Sequence, residues 1–224
     1  MIAFAPTPRI EPGTRGDYLL LARHHYAAGE PASYARVLRA MEGERLVGVL
    51  VVSRPTLNAP WRRRAWPDLA GLSRRDEAAW VNQRLRTITR VIVEPRWRGT
   101  GVARRLVRAY LDDPLTTHTE AVAAMAASSP FFERAGMRRV ARPISRRDQA
   151  LARTLRRLGV RPWSLVDLRE GERRCRASRP LHDAVRRWAS AGKGTRRRLG
   201  EPAPILAALA GSSLSARGAV LVWP

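Results

Sequence analysis

Residues 91–103 are Val-Ile-Val-Glu-Pro-Arg-Trp-Arg-Gly-Thr-Gly-Val-Ala, and this stretch decides the fold. An apolar, strand-like segment ends at Pro95, a short loop of arginine and glycine follows, and an amphipathic helix begins at Val102. The glycines at 99 and 101 lack Cβ atoms and allow the backbone to curl closely around a ligand. The first N–H groups of the helix then point, without partners, into the loop. Because such donors and the helix dipole attract anions, the stretch predicts a diphosphate-binding turn.

Two other kinds of phosphate-binding loop are excluded by the positions of lysine and glycine. A P-loop needs Gly-Lys followed by Ser or Thr, but the only lysine of the chain, Lys193, is followed by glycine. A dinucleotide-binding turn needs a third glycine three residues after the second, and position 104 is arginine.

Segments on both sides of the turn predict a mixed α/β domain. The dense apolar run at 46–52 predicts a strand buried on both faces, and the alternation at 85–93 predicts a second strand. The residues predicted to share one side of this second strand are Leu85, Thr87, Thr89, Val91 and Val93. A further strand is predicted at 121–125, with helices at 17–25, 33–41, 102–111 and after Pro130. The stretch 55–79, rich in Pro, Trp and Arg, predicts a long loop.

Composition and charge bound the class of protein. The chain has 224 residues, 42 Lys and Arg against 19 Asp and Glu, a net charge of +23, and 45% hydrophobic residues. It can therefore bury a core, and its field attracts polyanions. The single cysteine, Cys175, excludes an internal disulfide and a cysteine-based zinc cage, and no metal site is predicted. Without a secretory signal or a spanning segment, the expected location is cytoplasmic.

The charge also predicts two regions. Residues 1–145 carry a net charge of +11, whereas the much shorter stretch 146–224 carries +12. The latter predicts helices at 146–158 and 181–189. We therefore expect a catalytic domain at 1–145 and a basic, mainly helical extension at 146–224.

The motif Arg96-x-x-Gly99-x-Gly101, after Val-x-Val-x-Pro, resembles the signature of the GNAT superfamily of N-acetyltransferases. The stretch Pro-Phe-Phe-Glu-Arg-Ala-Gly-Met at 130–137 resembles the family's next motif, and the order of elements fits from 17 to 140. The resemblance implies a mixed central sheet flanked by helices in three αβα layers. It also implies an enzyme that moves an acetyl group from acetyl-CoA to an amine by direct attack.

The resemblance assigns the cofactor site by position. In the family, the loop binds the pyrophosphate of acetyl-CoA and the preceding strand holds the pantetheine arm through its backbone. The N–H group of Val93 or a neighbour would polarise the thioester carbonyl. The cofactor residues implied are Val91, Val93, Arg96, Arg98, Gly99, Thr100, Gly101, Val102 and Ala103.

The catalytic residues depart from the family pattern. Many members protonate the leaving thiolate with a tyrosine whose place is taken here by Phe132, and the place of the family's upstream asparagine falls near Met125. The candidates for general base are Glu94, Glu120 and His118. The candidates for contact with the substrate are His25, Tyr26 and Phe132.

Two alternatives remain open from the sequence. A narrower resemblance is carried by His24-His25-Tyr26 ahead of Gly29-x-Pro31 and by the 130–137 motif. It is to a branch that includes phage Mom-type DNA modifiers, which act on adenine in DNA, and acetyltransferase domains fused to ABC-type ATPases. The other alternative is a non-enzymatic nucleic-acid-binding protein with a vestigial coenzyme A site. Tryptophans among arginines, as in Trp61-Arg62-Arg63-Arg64, are typical of surfaces that bind nucleic acid, so nucleic acid is a further expected partner.

Overall fold

A computed structural model describes residues 7–25, 29–124, 126, 129–215 and 218–224. Within these residues one sheet has the strand order β1-β2-β3-β4-β5-β7-β6. Its strands are β1 (Arg9–Pro12), β2 (Arg36–Glu42), β3 (Arg45–Ser53), β4 (Leu85–Val93), β5 (His118–Ala123), β6 (Arg138–Val140) and β7 (Ala219–Trp223). Strands β4 and β5 are parallel, and the other neighbours are antiparallel.

The described chain divides into two compact units. The first unit comprises the described residues up to Arg142 together with Gly218–Pro224, and it holds the whole sheet. Its helices are α1 (Arg15–Leu21), α2 (Arg62–Ala65), α3 (Arg74–Arg84), α4 (Val102–Asp112) and α5 (Phe131–Arg134). The second unit comprises residues 143–217, and its helices are α6 (Arg146–Arg157), α7 (Leu168–Ala177), α8 (Arg179–Ser190), α9 (Lys193–Arg196) and α10 (Ala203–Ser215).

Side chains alternate between the two faces of the sheet along each strand. Apolar side chains therefore lie on both faces, and helices pack against each face. On β3, Leu50 and Val52 pack in a cluster with Leu106 of α4. The residues between and before them, Val49 and Val51, pack instead with α1. The predicted fold class, a mixed sheet between helical layers, is confirmed, as is the burial of the 46–52 run on both faces.

The predicted helix at 33–41 is wrong. The segment forms β2, which pairs with β1 on one side and β3 on the other. Leu38 and Ala40 pack in the α4-side cluster, whereas Val37 packs in the α1-side cluster. Leucine, alanine and arginine favour helices in isolation, but pairing on both edges and burial on both faces override that weak preference.

The predicted loop at 55–79 is more ordered than expected. It contains α2 and the start of α3, and Trp66, Leu69 and Trp80 form a buried cluster with residues of β4 and β7. Arg62 is fully buried in this segment. Trp66 and Arg62 are therefore part of the interior, whereas Arg63 and Arg64 are exposed.

The C-terminus differs from the expected helical extension. Residues 219–223 form β7, which lies between β5 and β6 in the sheet. The run Ala-Val-Leu-Val-Trp alternates too briefly to stand out, although its middle three residues are fully buried. The helices predicted at 146–158 and 181–189 are present as α6 and α8, and α7 and α10 were not predicted.

The second unit has a hydrophobic core of its own. Leu151 and Leu155 of α6 pack with Trp188 of α8 and Leu206 of α10. Cys175 is buried in the same cluster, where desolvation raises the pKa of its thiol. None of the described helices combines the length and the apolar character needed to cross a bilayer.

Candidate active site

The parallel strands β4 and β5 separate halfway along their length. Their register runs from Leu85 opposite His118 to Ile88 opposite Ala121 and then stops. Beyond this point a cleft of about 590 Å³ lies between the strands, lined by 89–93 on one side and 122–124 on the other. The volume lies in the range of small-molecule sites.

The backbone of β4 presents N–H groups to this cleft. The N–H group of Glu94 donates to the carbonyl of Val47 on β3 at 2.9 Å. Because strand residues point their N–H and C=O groups alternately to either side, those of Val93 and Val91 point away from β3 and toward the cleft. Both residues line it.

The loop after β4 leaves the beginning of α4 open. Gly99 and Gly101 have φ angles of 83° and 89°, which other residues rarely adopt. A Cβ atom on either would meet no heavy atom within 4 Å, so the space beside them is open. Gly101 is the N-cap of α4, and no side chain accepts a hydrogen bond from the first turn. The first N–H groups of α4 therefore face the cleft mouth without an intrahelical partner.

Five of the other described helices are capped in the usual way, whereas the four-residue helices α2, α5 and α9 also lack a side-chain cap. Side-chain oxygens accept hydrogen bonds from the first turns of five helices, from the N-cap residues Thr14, Ser73, Ser145, Asp167 and Ser178. Such caps satisfy donors that the helix itself leaves free. The open first turn of α4 is thus suited to an external acceptor.

The cleft is cationic. Its lining includes Arg90, Arg98, Arg104 and Arg134, and it includes no Asp or Glu among the described residues. None of the ion pairs between described residues involves any of these four arginines. Their charge is therefore available to an anionic ligand.

Arg90 lies beside a β-bulge in β4 and on the α1 side of the sheet. The register of β3 and β4 shifts so that Ile88 pairs with Val52 and Arg90 pairs with Val51, which leaves Thr89 as the extra residue. Cross-strand partners lie on the same face, and Val51 packs on the α1 side. The predicted alternation from Leu85 to Val93 therefore fails across the bulge: Ile88 shares the α4 side with Val91 and Val93, so Leu85 and Thr87 lie on the opposite face.

A family model described as an acetyltransferase (GNAT) domain matches residues 76–150. Over this stretch, about a third of the chain, the sequence matches a GNAT acetyltransferase domain. The matched stretch runs from α3 into α6 and includes β4, the Arg/Gly loop, α4, β5 and α5. The predicted enzyme class and cofactor agree with this match, and a comparison with curated proteins gave no match.

Solved structures similar to this chain include several acetyltransferases. A histone acetyltransferase and related acetyltransferase from Corynebacterium glutamicum is 17% identical, with 62% of this chain and 90% of that chain covered and a TM-score of 0.41. A GNAT family N-acetyltransferase from Escherichia coli in complex with CoA is 17% identical, with 62% and 72% covered and a TM-score of 0.41. An agmatine N-acetyltransferase is 13% identical, with 60% and 84% covered and a TM-score of 0.40.

Most cofactor residues predicted for the GNAT domain line the cleft. They are Val91, Val93, Arg98, Gly99, Gly101, Val102 and Ala103. Arg98 also braces the loop, because it donates to the carbonyl of Val93 at 3.3 Å and to that of His24 at 3.1 Å. Two of the predicted residues do not line the cleft: Arg96 is exposed, and the hydroxyl of Thr100 donates to the carbonyl of Trp97 at 2.7 Å.

Two of the three predicted substrate residues of the GNAT domain also lie at the cleft. His25 and Phe132 line it, whereas Tyr26 lies outside the described residues. Phe132 is buried on α5 and packs against the ring of Phe131. Met125 also lies outside the described residues.

Glu120 is the first correction among the predicted catalytic residues. It is 3% exposed and pairs with the fully buried Arg62, with Nη2 and Oε1 2.6 Å apart. Trp61 Nε1 and Thr87 Oγ1 also donate to its carboxylate, at 2.9 Å and 3.0 Å. Glu120 lies in the paired half of β5 and does not line the cleft. Its contacts, extended by those of Arg62 to the carbonyls of Thr56 and Leu57, connect residues 56–62 to the sheet.

His118 and Glu94 also lie away from the cleft lining. The ring of His118 stacks on that of Trp80, with the centroids 4.9 Å apart, and burial followed by the charge of Arg84 lowers its pKa. The carboxylate of Glu94 faces Arg45 at 3.5 Å. The sequence could not show that the strand ends turn these side chains away from the cleft.

Several cleft residues were not predicted as site residues. Arg90, Arg104 and Arg134 were each one of 41 arginines, and the end of the β4–β5 pairing beside Arg90 has no sequence signature. His24 lines the cleft beside His25. The only available signal was its place next to His25 in the predicted substrate segment.

Proposed function

We propose that this chain is an acetyl-CoA-dependent N-acetyltransferase whose cleft between β4 and β5 binds the cofactor and the amine acceptor. The observation that carries the proposal is the splitting of two parallel strands directly beside the uncapped first turn of α4. The family match to the same stretch supports it.

The mouth of the cleft fits the pyrophosphate of coenzyme A. Free N–H groups of the first turn of α4 and the positive end of its dipole favour a phosphate there. Arg98 and Arg104 line the cleft beside that turn and bring formal charge. The absence of Cβ atoms at Gly99 and Gly101 leaves room for close approach.

The open half of β4 fits the pantetheine arm. The N–H groups of Val91 and Val93 face the cleft and can donate to the amides of an extended ligand lying beside the strand, in the manner of an added strand. From Val93 back to Thr89 the strand spans roughly 13 Å, at about 3.3 Å per residue. The reacting end of the ligand then lies near the closed end of the cleft, by Thr89 and Arg90.

When bound, acetyl-CoA supplies a thioester that an amine attacks at the carbonyl carbon, giving an amide and free coenzyme A. The amine must lose a proton, and the imidazoles of His24 and His25 are the side chains of the described lining that could accept one. We assign proton acceptance to this pair, since Glu120 and His118 are committed elsewhere. Positioning of amine and thioester in one cleft supplies much of the rate enhancement.

Calorimetric titration with acetyl-CoA tests the proposal. We expect saturable binding by the wild-type chain and a rise in Kd of about tenfold or more in Gly99→Glu, because a carboxylate then occupies the phosphate position. Gly71→Glu is the matched control, since Gly71 has the same φ of 83° and equally open surroundings outside the cleft. Absence of binding by the wild type, or equal loss in both variants, would contradict the proposal.

A double substitution tests the proton acceptor. We expect His24→Gln combined with His25→Gln to lower kcat, because neither glutamine amide can accept the proton of the amine. Unchanged kinetics in the double variant would exclude the pair as the base.

The nucleic-acid partner and the Mom-like activity stay predictions, supported by one feature of the second unit. Trp163 is 62% exposed, and the exposed residues Arg161 and Arg169 lie two and six residues from it in sequence. An exposed indole with arginines nearby in sequence suits base stacking and phosphate contact. Mass spectrometry of nucleosides from cells that express the protein tests the modification, since altered adenine would favour it and unaltered DNA would exclude it.

A further inference from the structure

We propose that the amine acceptor carries an anionic group, a carboxylate or a phosphate, and that the guanidinium of Arg90 binds this group. The inference rests on the proposed function, because it names the acceptor class of the same cleft.

Arg90 lies where the acceptor must approach. It follows the bulged residue Thr89 at the closed end of the cleft and projects on the α1 face of the sheet, next to His24 and His25. Val91 and Val93 pack in the α4-side cluster on the opposite face. Since the phosphate position lies at the beginning of α4, the α1 face is left for the second substrate.

No carboxylate among the described residues forms an ion pair with Arg90. Its Nη1 donates to the carbonyl of Thr89 at 2.9 Å, and its Nη2 donates to that of Gly29 at 3.3 Å. Its Nε is buried and has no hydrogen-bond partner among the described residues. Two neutral carbonyls leave the guanidinium with a full charge and an unused donor in a partly buried position, which is costly without an anion.

The nearest carboxylate in sequence to these contacts is occupied by other partners. Glu30 follows Gly29, but both its oxygens accept hydrogen bonds from Arg15, at 2.8 Å and 3.0 Å. The hydroxyl of Tyr34 also donates to it, at 3.0 Å. Glu30 is therefore not the counter-ion of Arg90.

The other arginines of the cleft lie where the phosphate groups of coenzyme A would bind. Arg98 and Arg104 lie at the beginning of α4, and Arg134 lies on α5, which packs against α4. Coenzyme A brings several phosphate charges to that side. Arg90 is the remaining cation, and a guanidinium pairs bidentately with a carboxylate or a phosphate.

The same arrangement disfavours a polycationic acceptor. The described lining of the cleft has four arginines and no carboxylate to balance a second ammonium group. Like charges in a partly desolvated cleft repel strongly. Selectivity therefore arises from repulsion of cations as well as attraction of anions.

The test is an acetylation assay with four acceptors of equal chain length. Ethanolamine, β-alanine, phosphoethanolamine and ethylenediamine place a hydroxyl, a carboxylate, a phosphate and an ammonium group two carbons from the amine. We expect kcat/KM for one or both anionic acceptors to exceed that for ethanolamine by about tenfold or more, and ethylenediamine to be the poorest acceptor. The better of the two anions identifies the group.

Variants of Arg90 separate this inference from the proposed function. We expect Arg90→Gln to bring the anionic-to-neutral ratio close to one, Arg90→Lys to retain part of it, and Arg90→Glu to favour ethylenediamine. Arg75→Gln, on an exposed residue of α3, should keep the wild-type ratio. Acetyl-CoA titration of each variant and a melting curve check cofactor binding and folding.

The outcomes distinguish two failures. If the wild type does not bind acetyl-CoA, the proposed function is wrong. If it binds acetyl-CoA but acetylates none of the four acceptors, acetylates only an oligonucleotide, or prefers ethylenediamine or ethanolamine, the assignment of an anionic acceptor to Arg90 is overturned. The assignment is also overturned if Arg90→Gln keeps the wild-type ratio of kcat/KM for anionic and neutral acceptors.

Discussion

The two halves of β4 differ in what lies beside them. From Leu85 to Ile88 the strand pairs with β5, and the pairing is buttressed by a buried Arg62–Glu120 ion pair. From Thr89 to Val93 it faces a cleft lined by arginines without carboxylate partners. In the first half, a buried ion pair stabilises the packing beside the paired strands. In the second half, the arginine charges and the backbone N–H groups remain available to a ligand. The contrast shows how one strand serves both stability and binding.

The largest expected effect concerns the closed half. Arg62→Met should lower the free energy of unfolding by about 3–5 kcal/mol, because Glu120 is left buried without its counter-ion. Urea denaturation measures the loss. The double variant Arg62→Met with Glu120→Leu should lose less than the sum of the single variants. Strict additivity would show that the two charges do not act as a pair.

The next effect concerns the open half. Arg98→Gln should weaken acetyl-CoA binding by about tenfold, since a charged hydrogen bond to phosphate is worth about 1.5–3 kcal/mol. Its free energy of unfolding should change by less than about 1 kcal/mol, because the side chain is exposed. Calorimetry and denaturation on the same sample check both. If Arg98→Gln lowers the free energy of unfolding but binds acetyl-CoA normally, Arg98 contributes to stability and not to cofactor binding.

A smaller effect separates backbone strain from binding. Gly99→Ala and Gly71→Ala should each cost about 1 kcal/mol of stability, because both positions have a φ of 83° and open surroundings. Only Gly99→Ala should also weaken acetyl-CoA binding, since its methyl group intrudes at the mouth of the cleft. Equal binding by both variants would remove Gly99 from the site.

The smallest expected effect is a pH dependence of the free energy of unfolding, which comes from His118 in the paired half of β4 and β5. The pKa of His118 is lowered in the folded chain by burial and by Arg84, so the unfolded chain binds more protons there as the pH falls below the ordinary value of 6.5. The free energy of unfolding should therefore decrease as the pH falls from 7.5 to 5.5. His118→Phe should show a shallower decrease in parallel melting curves, and identical slopes would show that His118 does not contribute.

The sequence predicted the parts of the fold that depend on local pattern. The run at 46–52, the strand at 85–93 and the helix after Gly101 form as expected, because periodicity and glycine placement determine them within a few residues. The segment 36–42 was mispredicted because its partners β1 and β3 decide its conformation. Strand β7 was missed because its place in the sheet depends on residues that lie far from it in sequence.

Some residues of the candidate site follow from local sequence, and others depend on contacts that are distant in sequence. The glycines and Arg98 belong to one local motif, and the cleft contains them. Glu120 could not be judged from sequence, because its partner Arg62 is 58 residues away. Arg90 was missed because it is one of 41 arginines, and the sequence does not show where β4 and β5 separate.

Backbone amide exchange with and without coenzyme A tests the central claim most directly, because it reports on each half of β4 separately. The account predicts slower exchange on binding at Val91, Val93 and the first turn of α4, from Val102 to Arg104, and no change from Leu85 to Ile88. Slower exchange confined to other parts of the chain, or none at the first turn of α4, would contradict the claim that the open half of β4 and the beginning of α4 hold the cofactor.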